Sequence, residues 1–276
     1  MSVENEGVKL NNDVIIPQIG FGTFKIPDGI QTLEAVREAL DFGYRHVDTA
    51  AVYENEESAG VAVKESGLKR EEIFITSKLW VSDFGYDEAL KAFEKTMNKL
   101  KLDYLDLYLL HWPRAYEVNK NTWKALERLY DEKVIKSIGV SNFKVHHLEE
   151  LLKNANIVPA INQVELHPTF QPIDIIAFCK KYDIKIEAYY PFAHGETIND
   201  ERLKVLASKY NKSVAQLVLR WHLEKGYIPL PKSTNKEHIQ SNLNIFDFAI
   251  SNEDIEFIDK LNTGVRRGVD PDKTPF

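Results

Sequence analysis

The sequence predicts a closed (β/α)8 TIM barrel with a β-hairpin cap ahead of it. Three observations predict that fold. Short apolar runs alternate with amphipathic stretches eight times along the chain, the texture of parallel strands joined by helices. Three of the apolar runs lead into Asp48, Lys78 and His111. Parallel strands covered on both faces read as continuous apolar runs, so polar groups there mark the strand ends at which such folds build their sites. The length of 276 residues, 43% of them hydrophobic, suits one barrel of ~250 residues. Residues 1–276 therefore read as a single domain.

The elements follow in order. Residues 8–16 make two short strands around the turn Asn11-Asn12-Asp13, a hairpin. The first barrel strand is 19–21. Leu33, Val36, Arg37 and Leu40 recur at helical spacing, so 30–42 is a helix. Strand 44–47 precedes a helix over 54–66, stopped by Gly67. Strand and helix then alternate: 73–79 and 86–100, 105–110 and 122–132, 137–140 and 145–154, 159–166 and 173–182. Strand 184–190 is followed by helices at 201–210 and 214–225. Strand 227–230 completes the eight, with helices beginning near 236 and 252. An open doubly wound sheet is the runner-up. Its nucleotide-binding turn needs three glycines, and Gly20-Phe21-Gly22-Thr23-Phe24-Lys25 has lysine in place of the third, so that fingerprint fails.

Composition excludes several roles. With 35 basic against 42 acidic residues the formal charge is −7, which argues against nucleic acid and anionic membranes as partners. No apolar stretch approaches the ~18 residues of a membrane helix. The first seven residues are acidic and polar, the reverse of a secretion signal. Cys179 is the single cysteine and lies on the apolar face of a helix, as a buried structural thiol would. A cytoplasmic monomer is expected. No metal is expected either. His-Glu-x-x-His and Cys-x-x-Cys are absent, and His146 and His147, adjacent on a helix, should diverge.

Four residues carry the chemistry: Asp48, Tyr53, Lys78 and His111. A phenol with a reference pKa near 10 is a poor acid at neutral pH. An ammonium ~4 Å away favours phenolate by roughly 4 kcal/mol at an effective dielectric of ~20. Lys78 would thus tune Tyr53, Asp48 would neutralise the buried lysine, and a neutral His111 would orient a carbonyl oxygen. The set lacks a hydride source, so it implies a cofactor. Each residue alone has a bland alternative: a surface lysine, a loop histidine, a helix cap, a covering tyrosine. At one rim of one barrel, the shared site becomes the better reading.

The residues around these four resemble the aldo-keto reductase family. The matching stretches are Gly20-Phe21-Gly22-Thr23-Phe24, Gly43 through Ala50 with Tyr53, Ser77-Lys78-Leu79-Trp80, Asp106 through Pro113, Gly139 through Phe143, Asn162 through Pro168, and Pro231-Lys232-Ser233. The short connections after Trp112 and Pro191 are similar to the bacterial branch with 2,5-diketogluconate reductases and glyoxal or methylglyoxal reductases. The resemblance implies NADPH bound across the C-terminal rim, with Tyr53 as general acid. It implies that Ser141, Asn142 and Gln163 hold the carboxamide and that Tyr189 stacks on the nicotinamide.

For the phosphate end, Lys232, Ser233, Thr234, His238 and Asn242 are the candidates. Thr234 and Glu237 have capping-box spacing, which would start a helix there and offer an anion its N-terminus. His238 stands where the family commonly has arginine and Ser241 where it has glutamate, so NADH is admitted beside NADPH. Phe24, Trp80 and Trp112 would wall the pocket for a small carbonyl substrate. The rivals are a cofactor-binding sensor or regulatory subunit on the same fold, and an isomerase using Lys78 as a Schiff base.

Overall fold

The computed structural model describes residues 7–274. The acidic stretch read at the N-terminus lies outside them, apart from Gly7. The hairpin forms as its turn residues require. β1 (Val8–Lys9) pairs antiparallel with β2 (Ile15–Ile16), and Asp13 sits in the left-handed region at φ 68°. Eight parallel strands follow: β3 (Phe21–Gly22), β4 (His46–Asp48), β5 (Phe74–Leu79), β6 (Leu105–Leu110), β7 (Ile135–Ser141), β8 (Ile161–Glu165), β9 (Lys185–Tyr189) and β10 (Ile228–Pro229). They are hydrogen-bonded in sequence order. The Gly20 and Gly22 N–H groups donate to the Pro229 and Pro231 carbonyls, both at 3.0 Å, and close the ring.

Helices α1 (Ile30–Phe42), α2 (Glu56–Glu65), α3 (Tyr86–Leu100), α4 (Tyr116–Asp131), α5 (Val145–Leu152), α6 (Ile173–Lys181), α7 (Glu201–Lys209), α8 (Val214–Glu224), α9 (Lys236–Leu243) and α10 (Asn252–Asp259) accompany the strands. The larger core includes the apolar faces of α1, α3, α4 and α8 with strand residues such as Val47, Ile75, Tyr108 and Ile138. The hairpin supplies Leu10 and Ile16 to a smaller core with Phe74, Leu107, Leu109 and Ile228. It therefore plugs the N-terminal end of the barrel and leaves the opposite rim free for a site.

One boundary and one cap differ from the sequence reading for a physical reason. Helix α4 starts at Tyr116, six residues before the expected start. Its first turn is held by Asn119, whose side chain bonds the Arg114 N–H and carbonyl. No apolar period announces that turn. Helix α9 begins at Lys236 and is capped by Asn235, whose Oδ1 accepts from the His238 N–H at 3.0 Å. The expected capping box of Thr234 with Glu237 does not form, because the cap lies one residue later.

Helix packing leaves no room at one glycine. A Cβ on Gly60 of α2 would lie 2.3 Å from the carbonyl oxygen of Leu100, at the end of α3. Gly60→Ala gains about 1 kcal/mol of helix propensity. Forcing two backbones apart costs more, so a net loss of about 2 kcal/mol is expected. Urea unfolding midpoints would register it; an alanine variant as stable as the parent would show that α3 yields freely.

Candidate active site

The rim is built from strand ends. β4 ends on Asp48, and β5 lies parallel to it with Thr76 opposite Asp48. Lys78 shares a face with Thr76 through the two-residue period of the strand. The chain then turns through Ala51–Tyr53 and brings the phenol back over the rim. Asn55 fixes that turn from a fully buried position. Its Oδ1 accepts from the Thr49 hydroxyl at 2.8 Å, and its amide donates to the carbonyls of Thr23 and Ile26 at 3.0 and 2.9 Å. His111 follows directly on β6.

Lys78 is 0% exposed, which an ammonium tolerates only with its three donors engaged. Nζ donates to Asp48 Oδ1 at 2.6 Å, to the Thr49 carbonyl at 2.9 Å and to the Tyr53 hydroxyl oxygen at 3.3 Å. The His111 ring stands edge-on to Tyr53, centroids 5.6 Å apart, and edge-on to Trp80 at 5.2 Å. Burial, reinforced by the Lys78 charge, holds the His111 pKa well below its ordinary value, so the imidazole is neutral. Its Nδ1 is buried without a partner. A buried lone pair is tolerated more readily than a buried N–H, which assigns the ring proton to Nε2.

Tyr53 departs from the sequence argument. Burial, then the charge of Asp48, pushes its pKa well above the ordinary value. Asp48 is closer to the ammonium than the phenol is and cancels most of its field, so desolvation wins. The phenol stands protonated.

A second layer supports the first. The Gln163 amide Nε2 donates to Asp48 Oδ2 and to Glu187 Oε2, both at 2.9 Å. Burial and the nearby Asp48 raise the Glu187 pKa to about 8, while burial and then Lys78 lower that of His46 to about 3. The Ser141 hydroxyl donates to the Gln163 carbonyl at 2.9 Å. The Asn142 amide donates to the His111 carbonyl at 3.0 Å, and the Tyr189 hydroxyl donates to Asn142 Oδ1 at 2.6 Å. Asn142 and Tyr190 sit at φ 66° and 52°, strain of the kind that gathers where side chains must be aimed.

These residues meet at one cavity of about 770 Å3, in the range of small-molecule sites. Asp48, Tyr53, His111, Ser141, Asn142, Gln163, Tyr189 and Lys232 line it together with Phe24, Trp80 and Trp112. Lys78 lies buried behind Asp48 and Tyr53. Ser233, Thr234, His238 and Asn242 are not among the lining residues; Ser233 and Thr234 follow Lys232 on the segment entering α9, and His238 and Asn242 lie within that helix. His238 is exposed there and Asn242 is buried.

Sequence reasoning missed Glu187, Tyr190, His194 and Arg267. Glu187 carried a signal, since it is a charge inside the apolar run 184–190. Arg267 carried none, because only the fold returns it to the rim. His146 and His147 also correct the expectation of divergence. Their rings lie 3.9 Å apart, and both Nε2 atoms face Asp272 Oδ1, at 3.1 and 3.4 Å. His147 Nδ1 accepts the Lys144 N–H at 3.1 Å. The proton therefore sits on Nε2, which leaves that atom no lone pair for a metal.

Comparisons with known proteins bear on this geometry. The family model described as "Aldo/keto reductase family" matches residues 18–263. Glyoxal reductase of Bacillus subtilis (strain 168) is 50% identical over 269 residues, which are 98% of this chain and 97% of that protein. Methylglyoxal reductase DkgA of Escherichia coli (strain K12) is 40% identical, over 96% of this chain and 97% of its own length. A mutant of Gox0644, crystallised in complex with NADPH, superposes with a TM-score of 0.93 at 39% identity, covering 98% of both chains. Among the described residues, no helix is long and apolar enough to cross a membrane.

Proposed function

This chain belongs to the aldo/keto reductase family and is an NAD(P)H-dependent oxidoreductase, and from that premise we propose that it reduces the carbonyl of small aldehydes or ketones with Tyr53 as the proton donor. The observation that carries the reading is the contact of a fully buried ammonium, Lys78 Nζ, with the Tyr53 hydroxyl oxygen at the cavity wall. The names of the relatives favour small vicinal dicarbonyls among the substrates.

NADPH supplies a hydride when bound. The donor set fits it. Both N–H of the Gln163 amide are taken by the carboxyl groups of Asp48 and Glu187, which leaves Oε1 as the acceptor for a carboxamide N–H. Ser141 and Asn142 adjoin it, and the Tyr189 ring, tied to Asn142, offers a flat wall. Lys232 offers a cation on the same cavity. Ser233, Thr234, His238 and Asn242 are assigned to the adenosine phosphate. His111 donates its Nε2 proton to the carbonyl oxygen and orients it. Lys78 already donates to the Tyr53 oxygen, so the phenol's own proton is free to face the substrate. Tyr53 gives that proton up as negative charge develops on the carbonyl oxygen. Lys78 then stabilises the phenolate, and Asp48 holds Lys78 in register. Phe24, Trp80 and Trp112 keep water from the reacting carbon.

All three donors of Lys78 are occupied, which weighs against a Schiff-base isomerase. A cofactor-binding sensor keeps the same fold but needs no filled proton relay. Mixing the protein with NADPH and glyoxal should consume the nicotinamide absorbance and yield one alcohol per cofactor oxidised. Intact NADPH binding without turnover would favour the sensor. The reading takes residues 1–276 as one domain, acting as a monomer in the cytoplasm.

Cofactor preference has its own test. His238 is exposed on the first turn of α9. An imidazole cannot grip a phosphate through a planar fork. His238→Arg is expected to tighten NADPH binding about tenfold through a charge-assisted contact, with NADH unaffected. Dissociation constants for both cofactors decide it; equal gains for both would place His238 away from the phosphate.

A further inference from the structure

The segment after α10 returns to the rim as a strap. Its first stitch joins it to the connection after β8. The Asn262 amide donates to the Gln171 carbonyl at 3.2 Å, its Oδ1 accepts the Gln171 N–H at 3.1 Å, and the Thr263 N–H donates to the Thr169 carbonyl at 2.9 Å. Its last stitch is an ion pair of Lys144 with Asp270 and Asp272 at the surface. Between the two, Arg267, Gly268 and Val269 line the same cavity as Tyr53 and His111. The backbone of this middle stretch is held by a side chain from the barrel.

That side chain is Glu165, the last residue of β8, fully buried. Oε1 accepts the Arg267 N–H at 2.6 Å, and Oε2 accepts the Gly268 N–H at 2.8 Å. The Arg266 guanidinium stands 3.5 Å from Oε2. The His167 ring, also fully buried, adds a bond to Oε1 at 3.1 Å, with its other nitrogen bonded by the Thr169 hydroxyl. Burial alone would raise the carboxyl pKa. The bonds from His167, Arg267 and Gly268 outweigh it and hold the value below the ordinary range, so the group is an anion. Gly268 is fitted to it: a Cβ there would lie 2.8 Å from Glu165 Oε2 and 3.7 Å from the Tyr189 hydroxyl. Beyond this point the Arg267 side chain crosses to Glu196 at 2.5 Å and ties the strap to the connection after β9.

We propose that Glu165 is a positioning residue for carbonyl binding: its buried carboxylate bolts residues 266–268 of the strap to the barrel and so sets the part of the substrate cavity's wall that the strap forms. The assignment rests on the reading of this cavity as the carbonyl site. Glu165 does not touch the reacting atoms. A wall that contacts substrate alike in the ground and transition states moves KM and leaves kcat. The tether also explains why an acid stands buried at a strand end without joining the proton relay.

The test compares Glu165→Gln and Gly268→Ala with the parent. Glutamine keeps the shape but turns an N–H toward a backbone donor; alanine pushes the strap off a carboxylate that stays in place. In both, KM for glyoxal should rise about tenfold or more, with kcat held within about threefold. Amide hydrogen exchange at residues 266–269 should quicken, while β8 stays protected. A loss in kcat at constant KM, or unchanged exchange across the strap, overturns the proposal. If Glu165→Gln does not fold, Gly268→Ala decides alone. The exchange measurement separates the two readings. Quickened exchange in a protein whose parent form turns over no carbonyl leaves the tether standing and removes the reductase reading.

Discussion

Tyr53→Phe is expected to lower carbonyl reduction by roughly a thousandfold while leaving NADPH affinity nearly unchanged. Only one oxygen is lost. The ring keeps its contact with Phe24, centroids 4.9 Å apart, and its edge contact with His111. Lys78 keeps two of its three partners, Asp48 and the Thr49 carbonyl. What disappears is the protonated phenol, held in that state by burial and by Asp48. In the proposed mechanism the neighbouring groups are engaged otherwise: His111 stays neutral to orient the carbonyl, and Asp48 is committed to the ammonium. Single-turnover decay of nicotinamide fluorescence, read beside a cofactor binding titration, measures the two effects separately. Turnover within about tenfold of the parent would assign the proton to another donor.

Lys78→Met should cost both rate and stability. The reduction should slow by at least about a hundredfold, since nothing remains to stabilise the phenolate as the proton leaves. The stability effect is of a different kind. Asp48 is 4% exposed and would lose the ammonium at 2.6 Å. An uncompensated buried carboxylate costs about 3 kcal/mol, less whatever the Gln163 bond recovers. Adding Asp48→Asn removes that charge and should restore most of the stability without restoring the rate. Denaturant midpoints and turnover for the single and double variants form a cycle. Recovery of both properties in the double variant would make Lys78 merely structural.

Much of the barrel was legible because its strands are apolar and its helices periodic. Asp48, Lys78 and His111 stood out as polar groups at the ends of apolar runs, and a local anomaly of that kind needs no knowledge of contacts. The family resemblance placed the rest of the expected site along the same strand ends. The start of α4 was hidden, because its first turn is held by an asparagine side chain and carries no apolar period. The cap of α9 was misread by one residue, because Thr234 and Asn235 are both acceptable caps and only the path of the chain out of β10 chooses between them.

The sequence by itself determined the strand order and the polar groups delivered to the rim. These are properties of local pattern: a strand's period and end are written in its own residues. Tertiary structure alone decided the charge states and the wall that the strap adds to the cavity. Whether Tyr53 stands protonated depends on the competition between burial, Asp48 at 2.6 Å from the ammonium and the phenol at 3.3 Å, and desolvation is a property of the whole fold. The strap at 266–269 reaches the cavity only because Glu165, about a hundred residues earlier in the chain, accepts its N–H groups. Those donors are backbone amides, which every residue but proline possesses, so the sequence carries no mark of the bond.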